Sequence, residues 1–179
     1  MSIGADETQG GWRGGWAAAI AFIATLVLLG MVVLVAFSND AREQALTAER
    51  HAYDVALVTR SVSSSASRAE AALGRFVLDE DVRSSGNIYY SQWRLAGSQI
   101  DQLKALVSKN PDQLKRVGDL QMLYARRGDE LALPARAAVL KKGGGGTAYF
   151  FAAGKTHTQE NLDQKLDEIA AAERVSLRQ

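Results

Sequence analysis

The sequence predicts an all-α protein in which one transmembrane helix continues into an up-down-up-down four-helix bundle. Residues 16–37 form an uncharged apolar run that is long enough to cross a bilayer. Residues 41–76 then carry a nearly unbroken heptad pattern, which is typical of a helix packed lengthwise on other helices. Beyond residue 40 the chain is rich in helix-forming residues, and no stretch alternates with the period of a strand.

The composition excludes several classes of function. Lys and Arg number 21 against 20 Asp and Glu, so the chain offers no basic surface for a phosphate backbone. We therefore predict that nucleic acid is not a partner. The chain has no cysteine, which excludes a disulfide framework and Cys-ligated metal sites.

The predicted transmembrane helix, residues 16–37, separates a short N-terminus, residues 1–15, from a long domain, residues 38–179. Its 22 residues span about 33 Å, which matches the hydrocarbon thickness of a bilayer. Trp12 and Trp16 lie where an interfacial aromatic belt belongs. A cleaved signal peptide is the alternative, but the apolar run is too long for one. The lipid bilayer is thus the first predicted partner, although the few flanking charges do not fix the orientation.

The first helix of the domain is predicted from its heptad seam. The steps alternate between four and three residues over five heptads, and only Thr59 is polar. No Pro or Gly separates Phe37 from this seam, so the membrane helix is expected to run straight into it and to end near residues 79–81. The seam positions are Ala41, Ala45, Ala48, Ala52, Val55, Thr59, Val62, Ala66, Ala69, Leu73 and Phe76.

Two further helices follow, each after a turn signal. The second begins after the turn at residues 84–87. The third begins at Asn110 and Pro111, an N-cap before a proline at the first helical position. Pro134 is expected to kink the third helix or to split it. Their apolar stripes are Tyr89, Trp93, Ala96, Ile100, Leu103 and Val107 in the second helix, and Leu114, Val117, Leu120, Tyr124, Leu131, Ala135 and Ala138 in the third.

Four glycines, residues 143–146, are expected to break the chain before the fourth helix, which begins near Gln159. They form either a flexible lid over a ligand or a loose connection. The aromatic residues 149–151 are expected to cap the end of the bundle. The helical pattern continues to Gln179 without a stop signal, so we expect a piece of a longer chain. The apolar stripe of the fourth helix is Leu162, Leu166 and Ile169.

No motif in the chain supports catalysis. The stretch of residues 154–156 reads Gly-Lys-Thr, but Tyr149 stands where a phosphate-binding loop requires glycine, and no strand precedes it. His51 and His157 lie more than a hundred residues apart, neither has a second histidine at helical spacing, and His51 is expected on a solvated face. We therefore predict no catalytic residue, no metal site and no cofactor in this segment.

One constellation of residues is a candidate ligand site. Glu70 and Arg75 lie near the end of the first helix, while Tyr89, Tyr90 and Trp93 begin the second. Aromatic rings beside opposite charges at the tip of a bundle can bind a small ligand. The alternative is that these side chains only fasten the turn.

At these residues the sequence resembles a known family, the CHASE domain of the third type. Residues 69–78 read Ala-Glu-Ala-Ala-Leu-Gly-Arg-Phe-Val-Leu, similar to the family's Ala-Glu-Ala-Ala-x-Arg-Gly-Tyr-Leu-Leu segment. Residues 90–93 and 103–111 resemble its next helix and the Asn-Pro turn. Residues 173–178 resemble the acidic-then-basic stretch before the family's second membrane helix. The similarity covers roughly residues 40–179, while the Gly-Arg order is inverted and a Thr-Gly pair is replaced by Asp-Glu.

The resemblance implies a sensory function. It implies that residues 1–15 are cytoplasmic, that residues 38–179 form a periplasmic sensory domain, and that the parent protein crosses the inner membrane of a bacterium a second time. The parent is expected to carry the output domain of a sensor histidine kinase or a diguanylate cyclase, with a chemoreceptor as a further possibility. We expect a homodimeric parent in which a small-molecule or protein stimulus displaces one helix against another. The alternative is a membrane-anchored coiled-coil spacer that responds to no stimulus.

Overall fold

The computed structural model describes residues 10–141 and 144–176, with side chains placed for residues 22–35, 38, 42–43, 45–141 and 144–175. Within these residues the chain forms five α-helices and one π-helical turn, and it contains no strand. The prediction of an all-α protein is therefore confirmed. The helices are α1 (Gly10–Asp79), α2 (Asn87–Leu106), α3 (Pro111–Val139), α4 (Gly145–Ala153) and α5 (Thr158–Ser176), and the π-helical turn covers Val82–Gly86.

The chain divides into two compact units, Met1–Thr47 and Ala48–Gln179. In the first unit, the apolar side chains of residues 22–35 are exposed. Residues 1–9 of the predicted N-terminus lie outside the described residues. In the predicted transmembrane helix, the side chains of residues 16–21 and 36–37 also lie outside them. Among the residues that are described, no helix is both long enough and apolar enough to cross a membrane.

Two core clusters hold the second unit together as a helical bundle. The first cluster contains the α1 residues that follow Ala52, the end of α2, the start of α3 and the middle of α5. The second contains the end of α1, the start of α2 and the ends of α3 and α4. Because each cluster joins the start of one long helix to the end of the next, neighbouring long helices run antiparallel. The first cluster is Val55, Val58, Val62, Ile100, Leu103, Val107, Val117, Leu120, Leu162, Leu166 and Ile169. The second cluster is Ala69, Ala72, Leu73, Phe76, Val77, Tyr89, Leu131, Ala135, Ala138 and Ala153.

The heptad seam of α1 is buried only from Ala52 onward. Every seam position from there to Phe76 is at most 4% exposed. Ala45 and Ala48 are exposed, so the prediction that the seam packs along its whole length is wrong for these two positions, and the side chain of Ala41 lies outside the described residues. Thr59, the polar position, donates its hydroxyl to a carbonyl one turn earlier in α1 at 2.9 Å. That hydrogen bond allows a threonine to occupy the core.

The predicted turn at residues 84–87 is the π-helical turn, which leads directly into α2. Helix α1 ends at Asp79, as its acidic terminus predicts. Asp81 caps the turn by accepting hydrogen bonds from the backbone N–H groups of Arg83 and Ser84, at 2.9 and 3.1 Å. The Ser85 hydroxyl donates to the Asp79 carboxylate, and this hydrogen bond is the main reason why the pKa of Asp79 is lowered.

The start of α3 is capped as the sequence predicts. The side-chain oxygen of Asn110 accepts hydrogen bonds from the backbone N–H groups of Asp112 and Gln113, at 3.1 and 3.2 Å, and Pro111 occupies the first helical position. The expectation that Pro134 could split this helix is wrong, because α3 continues through it to Val139.

Helix α4 is an element that the sequence did not predict, so the bundle has four long helices and one short one. Gly144 adopts a φ of 68° just before α4, a conformation that favours glycine. Gly146 is buried, and a Cβ atom there would lie 3.3 Å from the Cβ of Val77. Gly146 therefore serves close packing against α1, and Gly143 lies outside the described residues. Of the three aromatic residues expected to cap the bundle, Phe150 packs on the second cluster, whereas Tyr149 and Phe151 are exposed.

Candidate functional site

A surface groove lies between the start of α2 and the second half of α3. Its volume is about 410 Å³. Helix α2 contributes aromatic side chains to it, while α3 contributes mostly small ones, which leave the space open. We call this surface the aromatic groove, and it is lined by Tyr89, Tyr90, Trp93, Tyr124, Ala125, Gly128, Asp129, Ala132, Ala135 and Arg136.

The aromatic wall of the groove is held in place by stacking and hydrogen bonding. The rings of Trp93 and Tyr124 are stacked, with centroids 4.5 Å apart and an interplanar angle of 11°. The Tyr124 hydroxyl donates to the backbone carbonyl of Trp93 at 2.6 Å, which ties α3 to α2. Burial raises the pKa of Tyr89 to about 12, and the neighbouring Tyr90 and Tyr124 add to the rise. Tyr89 is therefore a neutral hydrogen-bond donor at ordinary pH.

Behind the groove, the side chain of Arg127 is buried in the bundle with only 3% of its surface exposed. Its Nε and one terminal nitrogen donate to the two carboxylate oxygens of Glu70 on α1, at 2.7 and 2.8 Å. Its other terminal nitrogen donates to Glu130 at 3.0 Å and to the carbonyl of Ala153, the last residue of α4, at 2.8 Å. Such a two-point arginine–carboxylate contact is strong and geometrically specific.

Two threonines complete this arginine network, which consists of Arg127, Glu70, Glu130, Thr156 and Thr158. The hydroxyls of Thr156 and Thr158 donate to the two carboxylate oxygens of Glu130, at 2.8 and 2.6 Å. The network thereby joins α1 and α3 to the end of α4 and the start of α5. Thr156 belongs to the Gly-Lys-Thr stretch, and its hydroxyl is bound to protein groups on both sides.

The charges of the network stabilise one another despite their burial. Burial alone would lower the pKa of Arg127, but its hydrogen bonds to Glu70 and Glu130 outweigh that effect and raise it. Burial alone would raise the pKa of Glu130, but the hydroxyls of Thr158 and Thr156 and the guanidinium of Arg127 lower it. Arg127 and Glu130 are therefore both charged at neutral pH.

Acid is expected to remove the contribution of Glu130 to stability. Because its folded-state pKa is lower than the ordinary value of 4.5, the contribution is fully present above about pH 5 and is lost as the pH falls through the folded-state pKa. Urea unfolding should show Glu130→Gln less stable than wild type at neutral pH, with a difference that shrinks in acid. Glu160→Gln, on the exposed surface, is the control and should show no such difference. A constant difference down to about pH 3 would contradict the expectation.

The structure separates the five residues that the sequence grouped as a candidate site. Tyr89, Tyr90 and Trp93 lie together in the aromatic groove. Glu70 belongs to the arginine network behind it, and Arg75 is exposed on α1, away from both. Glu70 pairs with Arg127 of α3, not with Arg75.

Sequence reasoning missed two residues of this region, Tyr124 as a groove residue and Arg127. The apolar stripe of α3 contains a signal for Arg127. The stripe has no apolar member between Tyr124 and Leu131, and residue 127 lies on the same face of the helix, three residues after Tyr124 and four before Leu131. A charged residue at a core phase indicates a buried ion pair whose partner the sequence alone does not name.

A second polar cluster lies at the opposite end of the bundle. Gln113, which is 1% exposed, donates through Nε2 to the Glu173 carboxylate at 2.9 Å and to the carbonyl of Ile169 at 3.1 Å. The Nε2 atom of His51 lies 3.4 Å from the same carboxylate, while its side chain is 39% exposed, so His51 is partly solvated and also contacts Glu173. The described residues contain no group of three or more His, Cys, Asp or Glu side chains that could hold a metal ion.

Comparison with known proteins identifies the family of this fold. The family model of the CHASE3 domain matches residues 45–179, which include both core clusters, the groove and the network. No curated protein and no solved structure matches the chain. The match covers most of the chain and agrees with the resemblance seen in its sequence. The chain therefore belongs to the CHASE3 domain family, a family of extracellular sensory domains.

Proposed function

We propose that this chain is the extracytoplasmic input module of a bacterial transmembrane signalling protein, either a sensor histidine kinase or a diguanylate cyclase. The observation that carries the proposal is the position of the aromatic groove against the arginine network. The groove opens to solvent between α2 and α3. The network behind it joins α3 to α1 and to the start of α5. A molecule bound in the groove can therefore act on all the long helices.

The proposal includes a membrane arrangement that the sequence and the family support. In this proposal residues 1–15 are cytoplasmic, residues 16–37 cross the inner membrane, and the up-down-up-down bundle lies in the periplasm. A second transmembrane helix beyond Gln179 leads to the output domain, and the parent protein acts as a homodimer. The uncharged run of 22 residues and the antiparallel long helices support this arrangement.

An alkaline phosphatase fused after Gln179 should be active, because this enzyme works only in the periplasm. An inactive fusion would contradict the proposed membrane arrangement.

The signal would leave the bundle as a displacement of α1 relative to α5. These two helices are the ones expected to connect the bundle to the two membrane helices. Besides sharing the first core cluster, they are joined by two polar pairs. The Ser63 hydroxyl donates to the Asp163 carboxylate at 2.8 Å, and His51 lies beside Glu173. Both are polar contacts between side chains, which can re-form after a small shift more readily than an interdigitated apolar core can.

A disulfide lock tests this mechanism, because the chain has no cysteine of its own. In the full-length parent, cysteines replacing Ser63 and Asp163 would join α1 to α5 on oxidation. Oxidation should then fix the kinase or cyclase output at one level, and reduction should release it. The control replaces Asp101 and Gln121, which form a 3.3 Å hydrogen bond between α2 and α3. Locking that pair should leave the output responsive.

The outcomes separate the proposal from its alternative. A responsive output in the oxidised α1–α5 lock would overturn helix displacement as the mechanism. Output that never varies in the unlocked parent, under any condition that changes the bundle, would favour the coiled-coil spacer.

A further inference from the structure

We propose that the aromatic groove binds a small aromatic carboxylate, that is, one flat ring system that carries a single negative charge. The inference rests on the proposed sensory function and names the chemical class of its stimulus. Three properties of the groove carry it: its shape, a tyrosine hydroxyl with no acceptor among the described residues, and the position of its two charged residues.

The shape of the groove fits one flat ring. Its volume of about 410 Å³ lies at the lower end of the range for small-molecule sites. One wall is the small-residue surface of α3, with Ala125, Gly128 and Ala132. The other wall presents Tyr90 and Trp93, both partly exposed, from α2. Because the Trp93 ring already lies against Gly128, a flat apolar body can pack beside that ring, against Ala132 and Tyr90. Aromatic pairs add about 0.5–1.5 kcal/mol beyond the area that they bury.

The hydroxyl of Tyr89 in the groove has no acceptor among the described residues. Tyr89 is only 4% exposed and lines the groove, yet its hydroxyl makes no hydrogen bond to any described residue. The hydroxyl oxygen itself is accessible at the surface of the groove, where an acceptor on a ligand can take the place of water. Because the hydroxyl is neutral at ordinary pH, it is a donor available to an acceptor on a ligand. A carboxylate is the strongest such acceptor.

The charged residues of the groove set the orientation and the charge of the ligand. Arg136 lies next to Ala135, which packs with Tyr89 in the second core cluster, so its positive charge is at the Tyr89 end. Asp129 follows Gly128, which contacts Trp93, so its negative charge is at the Trp93 end. Asp129 is seven residues before Arg136 on the same helix, which corresponds to about 10.5 Å along the helix axis. A zwitterion with adjacent charges does not match this separation. A carboxylate at Arg136, with a ring hydroxyl or ring N–H towards Asp129, does match it.

Binding of three matched compounds to the full chain in lipid nanodiscs tests the proposal. The compounds are 4-hydroxyphenylacetate, tyramine and tyrosol, which share one ring and differ in the charge of its side chain. Trp12→Phe and Trp16→Phe leave Trp93 as the single tryptophan, so its fluorescence reports on the groove. We expect saturable binding of 4-hydroxyphenylacetate that is at least about 10-fold tighter than that of the other two. Equal binding of all three, or no saturable binding, would overturn the proposal.

Three variants locate the site on this background. Arg136→Gln and Tyr89→Phe should each weaken binding of 4-hydroxyphenylacetate by about 10-fold, because each removes one donor to the carboxylate. Tyr89→Phe keeps the buried ring, so it separates loss of binding from loss of folding. Arg126→Gln, an exposed arginine of the same helix, is the matched control and should bind as wild type. Wild-type affinity in both groove variants would place the carboxylate elsewhere and overturn the proposal.

The binding experiment and the disulfide lock fail independently. Output frozen by the α1–α5 lock, together with no binding of the carboxylate, would reject the ligand class and keep the sensory function. Tight binding of the carboxylate, together with an output that still responds when the α1–α5 disulfide is formed, would keep the ligand class and reject the proposed mechanism of signalling.

Discussion

Replacement of Arg127 by methionine should lower the free energy of unfolding by about 3–5 kcal/mol, the typical effect of removing one partner of a buried ion pair. Methionine keeps much of the length and the apolar part of the side chain. It leaves the carboxylates of Glu70 and Glu130 without the guanidinium that bridges them. It also leaves the carbonyl of Ala153 without its side-chain donor. Urea unfolding followed by circular dichroism measures the change.

The neighbouring residue supplies the matched control. Arg126 is 73% exposed and pairs with Glu130 at 3.5 Å, so Arg126→Met should change stability by no more than about 0.5 kcal/mol. Arg127→Lys should fall between the two, because lysine keeps the charge but cannot make the two-point contact with Glu70. Similar small effects at positions 126 and 127 would mean that the network is accessible to water and does not hold the helices together.

Truncation of Phe76 to alanine should lower the free energy of unfolding by about 3–5 kcal/mol, the range for deleting a buried aromatic ring. Phe76 is fully buried in the second core cluster. Its ring fills the space above Gly86, where a Cβ atom would lie 3.1 Å from the ring. Deletion of the ring therefore opens a cavity between the end of α1 and the π-helical turn, and neither element can move in without breaking its own hydrogen bonds. Thermal and urea unfolding should report the same loss.

Leu78, two residues later on the same helix, provides the comparison. Its side chain is 73% exposed, so Leu78→Ala should stay within about 0.5 kcal/mol of wild type. An effect of Leu78→Ala that equals that of Phe76→Ala would show that this face of α1 is covered in solution. An effect of Phe76→Ala below about 1 kcal/mol would contradict the second core cluster.

The parts of the fold that the sequence predicts are those governed by local periodicity and capping. The apolar stripe of α2 is buried at five of its six positions, because period 3.6 places such residues on one face. The cap at Asn110 depends on a side chain and two backbone groups in the same turn. The starts of α3 and α5, at Pro111 and Thr158, lie close to their predicted positions for the same reason.

The parts that the sequence does not predict depend on contacts between distant residues. The glycine run indicates a loop, yet Gly146 is required because α4 packs against Val77, nearly seventy residues earlier in the chain. The candidate site illustrates the same limit. Local patterning brings Tyr89, Tyr90 and Trp93 together, but the partner of Glu70 is 57 residues away, and no local rule identifies it.

The position of the arginine network also limits how far α1 can travel. The seam of α1 around the network is mostly small residues, and small side chains by themselves permit a helix to slide along its neighbours. A slide of one helical turn, about 5.4 Å, would bring Ala66 or Gly74 opposite Arg127 in place of Glu70. Neither residue can accept the hydrogen bonds of a guanidinium, so the charge would be buried without a counterion. Any piston stroke of this helix must therefore be shorter than one turn, or be replaced by a tilt or a rotation that keeps Glu70 within reach.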